Sequence, residues 1–510
     1  MSTVCDFSNK FASLSPWKLD CFDRVIFKGH LQIARVDMFQ SWVDRKLKVR
    51  RKDYLGGEGQ RSSARLVGWA KTMCERAGRP YVFDRHVRGK DDWALARLRE
   101  SPIQQGLIAV LATMEACPTY KMVPGQGRPR FVSAKIPQRV LYYYFLDRRF
   151  GLIHVRVQTG APFTIQVYVN GHNYLTRQLK KLGLGFQLRE NAFVQLANPQ
   201  KAQQLADGFA TLNWRGILDA YAKKVNPLQR QGDVLDADEY YWVVDQAEFA
   251  TDVLFKSKSG LSGLYAKFLE YAWLTFKPKD VLGFLGRKPH GNFVGEVVTD
   301  VQTAREPGAR IKHRMKGNWL KMYDKFGLVL RVETVINQPR EFKIYREVAR
   351  RDGSREMAWC PLAKGVANLK HFQSHAAACN TRYLQALSHV DDPTPDRRAL
   401  ANLAEPKRVQ GRHSAGFNPA RQSDLALFAA VLDGDHLARG FRNRDVRSAL
   451  KLPETKAQAA RSSAAVGRLL KRLHVRGLIK KIPRTRRWLV TDSGRQILAR
   501  ALVNYNPAAA

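Results

Sequence analysis

The residues best suited by type and spacing to do chemistry lie between positions 310 and 337. Arg310-Ile-Lys-His-Arg-Met-Lys-Gly-Asn-Trp-Leu-Lys-Met-Tyr-Asp-Lys325 is followed closely by Leu330-Arg-Val-Glu-Thr-Val-Ile-Asn337. Basic and apolar residues alternate in both passages, and residues two apart on a strand share a face. Lys321 with Tyr323, and Arg331 with Glu333, therefore form one polar surface of ammonium, phenol, guanidinium and carboxylate groups. His313, Arg314 and Lys316 lie next to it in sequence. Cations in such a surface suit contact with a phosphate backbone. Two further acids, Asp245 and Glu248, follow the apolar run Glu239–Val244. There the pattern predicts a strand passing into a helix at Glu248–Phe255, with Asp245 and Glu248 at capping-box spacing.

Two other motifs carry no chemistry. His371-x-x-x-His375-x-x-x-Cys379 has ligand spacing on a helix, but Cys379 projects with Phe372 and Ala376 and no fourth ligand is near, so it reads as core packing. Gly56-Gly-Glu-Gly59 lacks the Lys-Ser/Thr of a phosphate-binding loop. The six cysteines, Cys5, Cys21, Cys74, Cys117, Cys360 and Cys379, include no Cys-x-x-Cys pair and read as reduced, mostly buried thiols. No cofactor and no metal centre is identified.

The last ninety residues form a basic unit, with 19 Lys and Arg against 6 Asp and Glu over 421–510. Leu425–Leu432, Asp445–Leu450 and a stretch from Lys456 to Val475 read as helices. Ile479–Ile482 and Trp488–Val490 read as a hairpin, and Ser493–Leu502 as a closing helix. At 100° per residue, Ser462, Val466, Leu469, Leu470 and Leu473 gather on one side of the third helix, and Arg461, Arg468, Lys471 and Arg472 on the other. Val466-Gly-Arg-Leu-Leu-Lys-Arg-Leu-His-Val-Arg-Gly-Leu-Ile479 with Leu489-Val-Thr-Asp-Ser-Gly494 resembles the recognition helix, wing and closure of MarR-like winged helices. That resemblance implies a helix in the DNA major groove. Arg476, Lys480, Lys481 and the tip residues Arg484, Arg486 and Arg487 would then lie over neighbouring phosphates.

The remaining elements must position these groups. Residues 1–118 read as mainly helical, with amphipathic stretches at Ser41–Lys48, Ser63–Arg76, Trp93–Leu98 and Gln104–Glu115. Residues 119–225 read as an antiparallel meander with helices, built on Val140–Phe145, Leu152–Gln158 and Phe163–Val169. Its alternation places Ile153, Val155 and Val157 on one face and His154, Arg156 and Gln158 on the other, a mixture that can stack and hydrogen-bond bases. Residues 226–388 read as a second α+β core with basic strands, 389–420 as a basic polar linker opening at Asp391-Asp392-Pro393-Thr394-Pro395, and 421–510 as the winged helix-turn-helix. No internal repeat is evident. The fold class expected is α+β, with one or two antiparallel sheets.

Composition narrows the function. The 86 Lys and Arg exceed the 45 Asp and Glu by a net charge of +41 in a chain of 510 residues, and the hydrophobic fraction of 45% is that of a globular protein. A polyanion is the expected partner. Neither a leader segment nor an apolar run of membrane-spanning length is read, so no membrane partner and a cytoplasmic location are expected.

Phe150-Gly-Leu-Ile-His-Val-Arg156, Asn170-Gly-His172, Tyr240-Tyr-Trp-Val-Val-Asp-Gln-Ala-Glu-Phe-Ala-Thr-Asp252 and Gly440-Phe-Arg-Asn-Arg-Asp445 resemble a large bacterial family without an assigned activity. The pairing Tyr323-Asp-Lys325 with Leu330-Arg-Val-Glu333 is similar to strands of plasmid and filamentous-phage rolling-circle replication initiators, although their His-x-His motif is absent. This second likeness implies Tyr323 as a nucleophile and Asp324 or Glu333 as a Mg²⁺ ligand, with Asp245, Glu248, Glu296 and Asp300 as further carboxylates. The expected function is nucleic-acid binding: duplex DNA at the winged helix, RNA or single-stranded DNA on the core, in the service of a plasmid or mobile element. Two alternatives stand beside it. One is a metal- or tyrosine-dependent nuclease, transposase or replication initiator, the only case that calls for Mg²⁺. The other is a component that binds a structured or guide RNA.

Overall fold

The computed structural model describes residues 7–126, 128–287, 295–302, 309–350, 352–390, 403–409, 412–418, 421–433, 436, 440–452 and 456–505. Its strands are β1 Trp17–His30, β2 Tyr81–Phe83, β3 Gly106–Val123, β4 Arg130–Asp147, β5 Gly151–Gln158, β6 Ile165–Asn170, β7 Phe186–Arg189, β8 Ala192–Leu196 and β9 Tyr241–Leu254. β10 Val297–Gln302, β11 Arg310–Met315, β12 Asn318–Lys325 and β13 Val329–Ile336 follow. Eleven of them make one sheet in the order β10-β11-β12-β13-β9-β1-β6-β5-β4-β3-β2. β7 and β8 form a separate hairpin. The class is α+β.

The connectivity of the large sheet occurs twice. β1 is followed by the meander β3 to β6, whose last strand returns to pair with β1; β9 is followed by β10 to β13, whose last strand returns to pair with β9. β1 and β9 pair antiparallel at the middle. The chain therefore carries a topological repeat although its residues show none. The sheet also joins strands from segments expected to be separate units: β1 and β3 from 1–118, β4 to β6 from 119–225, and β9 to β13 from 226–388.

Three element expectations are corrected, the first two by burial. Gln104–Glu115 is not a helix but the first half of β3, where Ile108 to Ala112 are buried on both faces and period two disappears. Glu248–Phe255 is not a helix either. β9 continues through Asp245 and Glu248 to Leu254, because it is paired on both sides and nearly every residue from Ala247 onward is buried. In the expected linker, Lys407–Val409 and Arg412–Ser414 form a short hairpin. Asp391 to Pro395 lie outside the described residues.

One face of the sheet is apolar and covered. Ile153, Val155, Val157, Val25, Phe27 and Val167 are fully buried, each worth roughly 1.5–3 kcal/mol against exposure. The helix Trp214–Val225 meets this face through Trp214, whose ring lies tilted with its centroid 4.5 Å from that of Phe27. The helix Leu369–Leu387 meets it through Asn380, which bonds Thr251 and Thr334, and through Tyr383. The opposite face bears polar side chains. It is partly covered by the helix Gly171–Lys181 and the β7–β8 hairpin, packed on Leu19 and Cys21.

A second unit comprises residues 267–276 and 387–510. Within it the helices Gln422–Leu432, Asn443–Ala449 and Lys456–Val475 precede a hairpin of Ile479–Lys481 and Trp488–Val490, then the helix Asp492–Tyr505. Leu425, Phe428, Val446, Val466, Leu470, Leu473, Ile479 and Leu498 form its core. Gly494 admits no side chain, since a Cβ there would stand 1.9 Å from the Leu478 carbonyl oxygen.

Candidate functional site

On the polar face, five segments bring charged groups together around the β1–β9 seam. β1 carries a bulge between Phe22 and Arg24 relative to β9, and the extra residue is Asp23. A bulge re-aims one side chain without ending the strand. β9 supplies Glu248 and Asp252, β13 supplies Arg331 and Glu333, and β12 supplies Lys321 and Tyr323. His172 arrives on the first turn of the helix Gly171–Lys181, which Asn170 caps by accepting from the Asn173 amide at 2.9 Å.

Two linked groups result. In the first, Arg331 donates from Nε and Nη2 to the two oxygens of Asp252 at 2.5 and 2.7 Å and from Nη2 to the Asn191 carbonyl at 2.7 Å. His172 Nδ1 stands 3.1 Å from Asp23 Oδ1, which also accepts from Asn191 at 2.8 Å. In the second, Glu333 accepts from Lys321 Nζ and from the Tyr323 hydroxyl, both at 2.7 Å, while Arg24 donates to Glu248 at 2.6 Å. Oxygens of Asp23, Glu248 and Glu333 all lie within 4.8 Å of one another. Three carboxylates so placed are a donor set for a hard divalent cation such as Mg²⁺.

The acids respond in opposite ways. Burial works against ionisation of Asp23 and Asp252, but His172 and Arg331 overcome it, holding Asp23 well below the carboxylate range and Asp252 at about 2. Burial and the neighbouring Glu333 charge push Glu248 up to about 7, against the pull of Lys321 and Arg24. Burial also raises the Tyr323 phenol, and Glu333 adds to it. Glu248 is thus the acid whose ionisation burial and a neighbouring carboxylate resist.

Beside this centre lies a row of cations. Lys312 faces Lys321 across β11 and β12, with Arg310 and Arg314 two residues to either side. Burial lowers the Lys312 ammonium, and the charges of Lys321, Arg314 and Arg310 lower it further. Lys312 lies 4.0 Å over the Trp319 ring, and Arg314 pairs with Asp300 at 2.8 Å. Toward the other edge, His154 stacks on Tyr168 at 4.8 Å, and Arg156 donates to Glu115 at 2.7 Å. Lys316 pairs with Glu341 at 2.8 Å.

Several sequence expectations are corrected here. His313 is fully buried, its ring between Thr299 and Tyr383, so it faces the covered side and reaches no ligand. Arg331 is fully buried, its charge committed to Asp252. Asp324 points away from Tyr323 and accepts from the Gly327 amide at 2.9 Å, stabilising the β12–β13 turn. Asp245 sits at the second β1–β9 irregularity with Gln166 3.5 Å away, apart from the carboxylates. Asp23, Arg24, His172 and Asp252 were absent from the expected site. Their signal is the run of charges Asp20, Asp23 and Arg24 inside an otherwise apolar stretch, and the quoted Asn170-Gly-His172.

In the second unit, Arg461, Arg468, Lys471, Lys480, Lys481, Arg484 and Arg486 are exposed. Arg472 and Arg476 are turned onto their own chain. Arg472 lies 4.1 Å over the Phe417 ring and donates to the Ala415 and Gly416 carbonyls; Arg476 donates to the Glu405 carbonyl at 2.6 Å. Arg487 donates to the Gly440 carbonyl at 2.9 Å. No helix among the described residues is long and apolar enough to cross a membrane. No family model, curated protein or solved structure matches the chain.

Proposed function

We propose that this chain binds nucleic acid, holding a phosphate backbone along β11 and β12 and contacting duplex DNA through a C-terminal unit folded as a winged helix, in plasmid or mobile-element processing. The row Arg310, Lys312, Arg314 and Lys321 carries the reading. Burial and the three cations around it depress the Lys312 ammonium, while Arg314 pairs with Asp300 and Lys321 with Glu333. An arriving phosphate chain relieves that repulsion. The exposed Arg461, Arg468 and Lys471 support the second contact. The test is binding of duplex DNA, single-stranded DNA and RNA across a salt series. A logarithmic slope of roughly −0.9 per neutralised phosphate on duplex is expected. Binding that does not respond to salt overturns the proposal, and a defined RNA copurifying at high salt makes RNA the principal ligand.

One observation favours a second, enzymatic reading. The Tyr323 hydroxyl already donates to Glu333 at 2.7 Å, with Glu248 and Asp23 close enough to share a metal ion. In that reading Asp23, Glu248 and Glu333 would hold a divalent cation, which would supply charge stabilisation to a phosphodiester; the Tyr323 oxygen would bond to phosphorus as its proton passed to Glu333, and the bond to the sugar oxygen would break, that oxygen taking a proton from water. Supercoiled and single-stranded DNA incubated with Mg²⁺ decide it: a nick or covalent adduct lost in Tyr323→Phe supports the chemistry, and neither product refutes it.

A further inference from the structure

Away from the carboxylates, a cleft of about 1030 Å³ lies between the helix Glu58–Ala77 and the β3–β4 ribbon. That volume is at the upper end of small-molecule sites. The helix side is open because Ala64 and Gly68 present little side chain there, and no atom lies within 4 Å of where a Gly68 Cβ would stand. Ser63 ties helix to sheet by donating to Thr159 Oγ1 at 3.0 Å.

Three independent features describe what would fit. Lys71, Lys121 and Arg139 line the cleft, no Asp or Glu does, and none of the three has a carboxylate partner among the described residues. Leu55 and Ile136 stand 42% and 39% exposed along it, apolar surface left in water on a strongly basic protein. Tyr54 is one of the lining residues and is only 2% exposed. Its hydroxyl has no hydrogen-bond partner among the described residues, a group that a ligand or water must satisfy. Cations and an apolar edge together call for an anion that carries an apolar body.

We propose that this cleft binds an organic anion with a flat heteroaromatic body, of the class of a nucleoside monophosphate, its phosphate on Lys71 and Arg139 and its ring beside Leu55 and Ile136. The ligand has two possible sources, a free nucleotide or a nucleotide splayed from a bound strand. The proposal stands without the strand-binding reading, since a free nucleotide suffices.

The experiment is calorimetric titration of the full chain with adenosine, guanosine, cytidine and uridine monophosphates, and in parallel with a short oligothymidylate. Gly68→Phe fills the cleft from a position with room for it, and Ala64→Leu is the second filler should the first not fold. Binding of a mononucleotide, abolished by the filler and weakened at least roughly tenfold in Lys71→Gln/Arg139→Gln, supports a free ligand. Oligothymidylate binding that alone responds to these variants supports a nucleotide of the strand. If no ligand binds in a way that the fillers change, the cleft is not such a site.

Discussion

Arg331 has no exposed surface, yet it is the cation on which the first carboxylate group depends. Removing one partner of a buried ion pair leaves the other charge uncompensated, which costs about 3–5 kcal/mol. Arg331→Met is expected to lower the denaturant midpoint accordingly, read by urea unfolding. Glu248 predicts a pH dependence of opposite cause. Its folded value of about 7 lies above the ordinary 4.5, so the folded state holds a proton that the unfolded state releases. The native stability that this proton represents is present below pH 4.5 and lost as pH rises to about 7. Glu248→Gln should therefore match the parent at pH 4 and exceed it by up to roughly 3 kcal/mol above pH 7. Equal pH profiles would remove the assignment. That Tyr323 faces the Arg331–Glu333 strand is legible in the sequence, because period two and the tight Lys325-Phe326-Gly327 turn set the pairing. Asp23 is not legible, because a bulge is a departure from the period by which strands are recognised.

At the scale of elements, the site depends on one close approach. The helix carrying His172 begins at Gly171, where a Cβ would stand 2.1 Å from the Phe22 carbonyl oxygen, next to the bulge that presents Asp23. Gly171→Ala should push the helix start off β1 and destabilise the fold by more than Asn170→Ala, a lost cap worth about 1 kcal/mol. Thermal unfolding of the two variants gives the ranking. The amphipathic helices and the alternating strands β5, β6, β12 and β13 are readable from their periods. β3 and β9 are not: Leu107–Ala112 of β3 is a continuous apolar run, which shares its pattern with a buried helix, and β9 is buried on both faces although it carries Asp245, Glu248 and Asp252, so alternation marks neither.

For the whole molecule, the net charge of +41 is the quantity that any partner must answer. Not every cation is free to do so, since Arg156, Arg331, Arg472 and Arg476 are engaged within the fold. Arg468→Ala and Lys471→Ala should each reduce the salt slope on duplex DNA by about 1. Arg472→Ala should instead act on stability, with the slope little changed. The repeated connectivity is invisible at the level of residues because the two halves share a strand order and not a set of side chains. That difference in side chains gives the seam a direction. One flank offers the rings of His154 and Tyr168, the other the acids Glu248 and Glu333 with Tyr323. A perfectly twofold cradle would accept a thread head-first or tail-first with equal ease; this one, with unlike banks on either side of its midline, would hold a polar thread in a single sense.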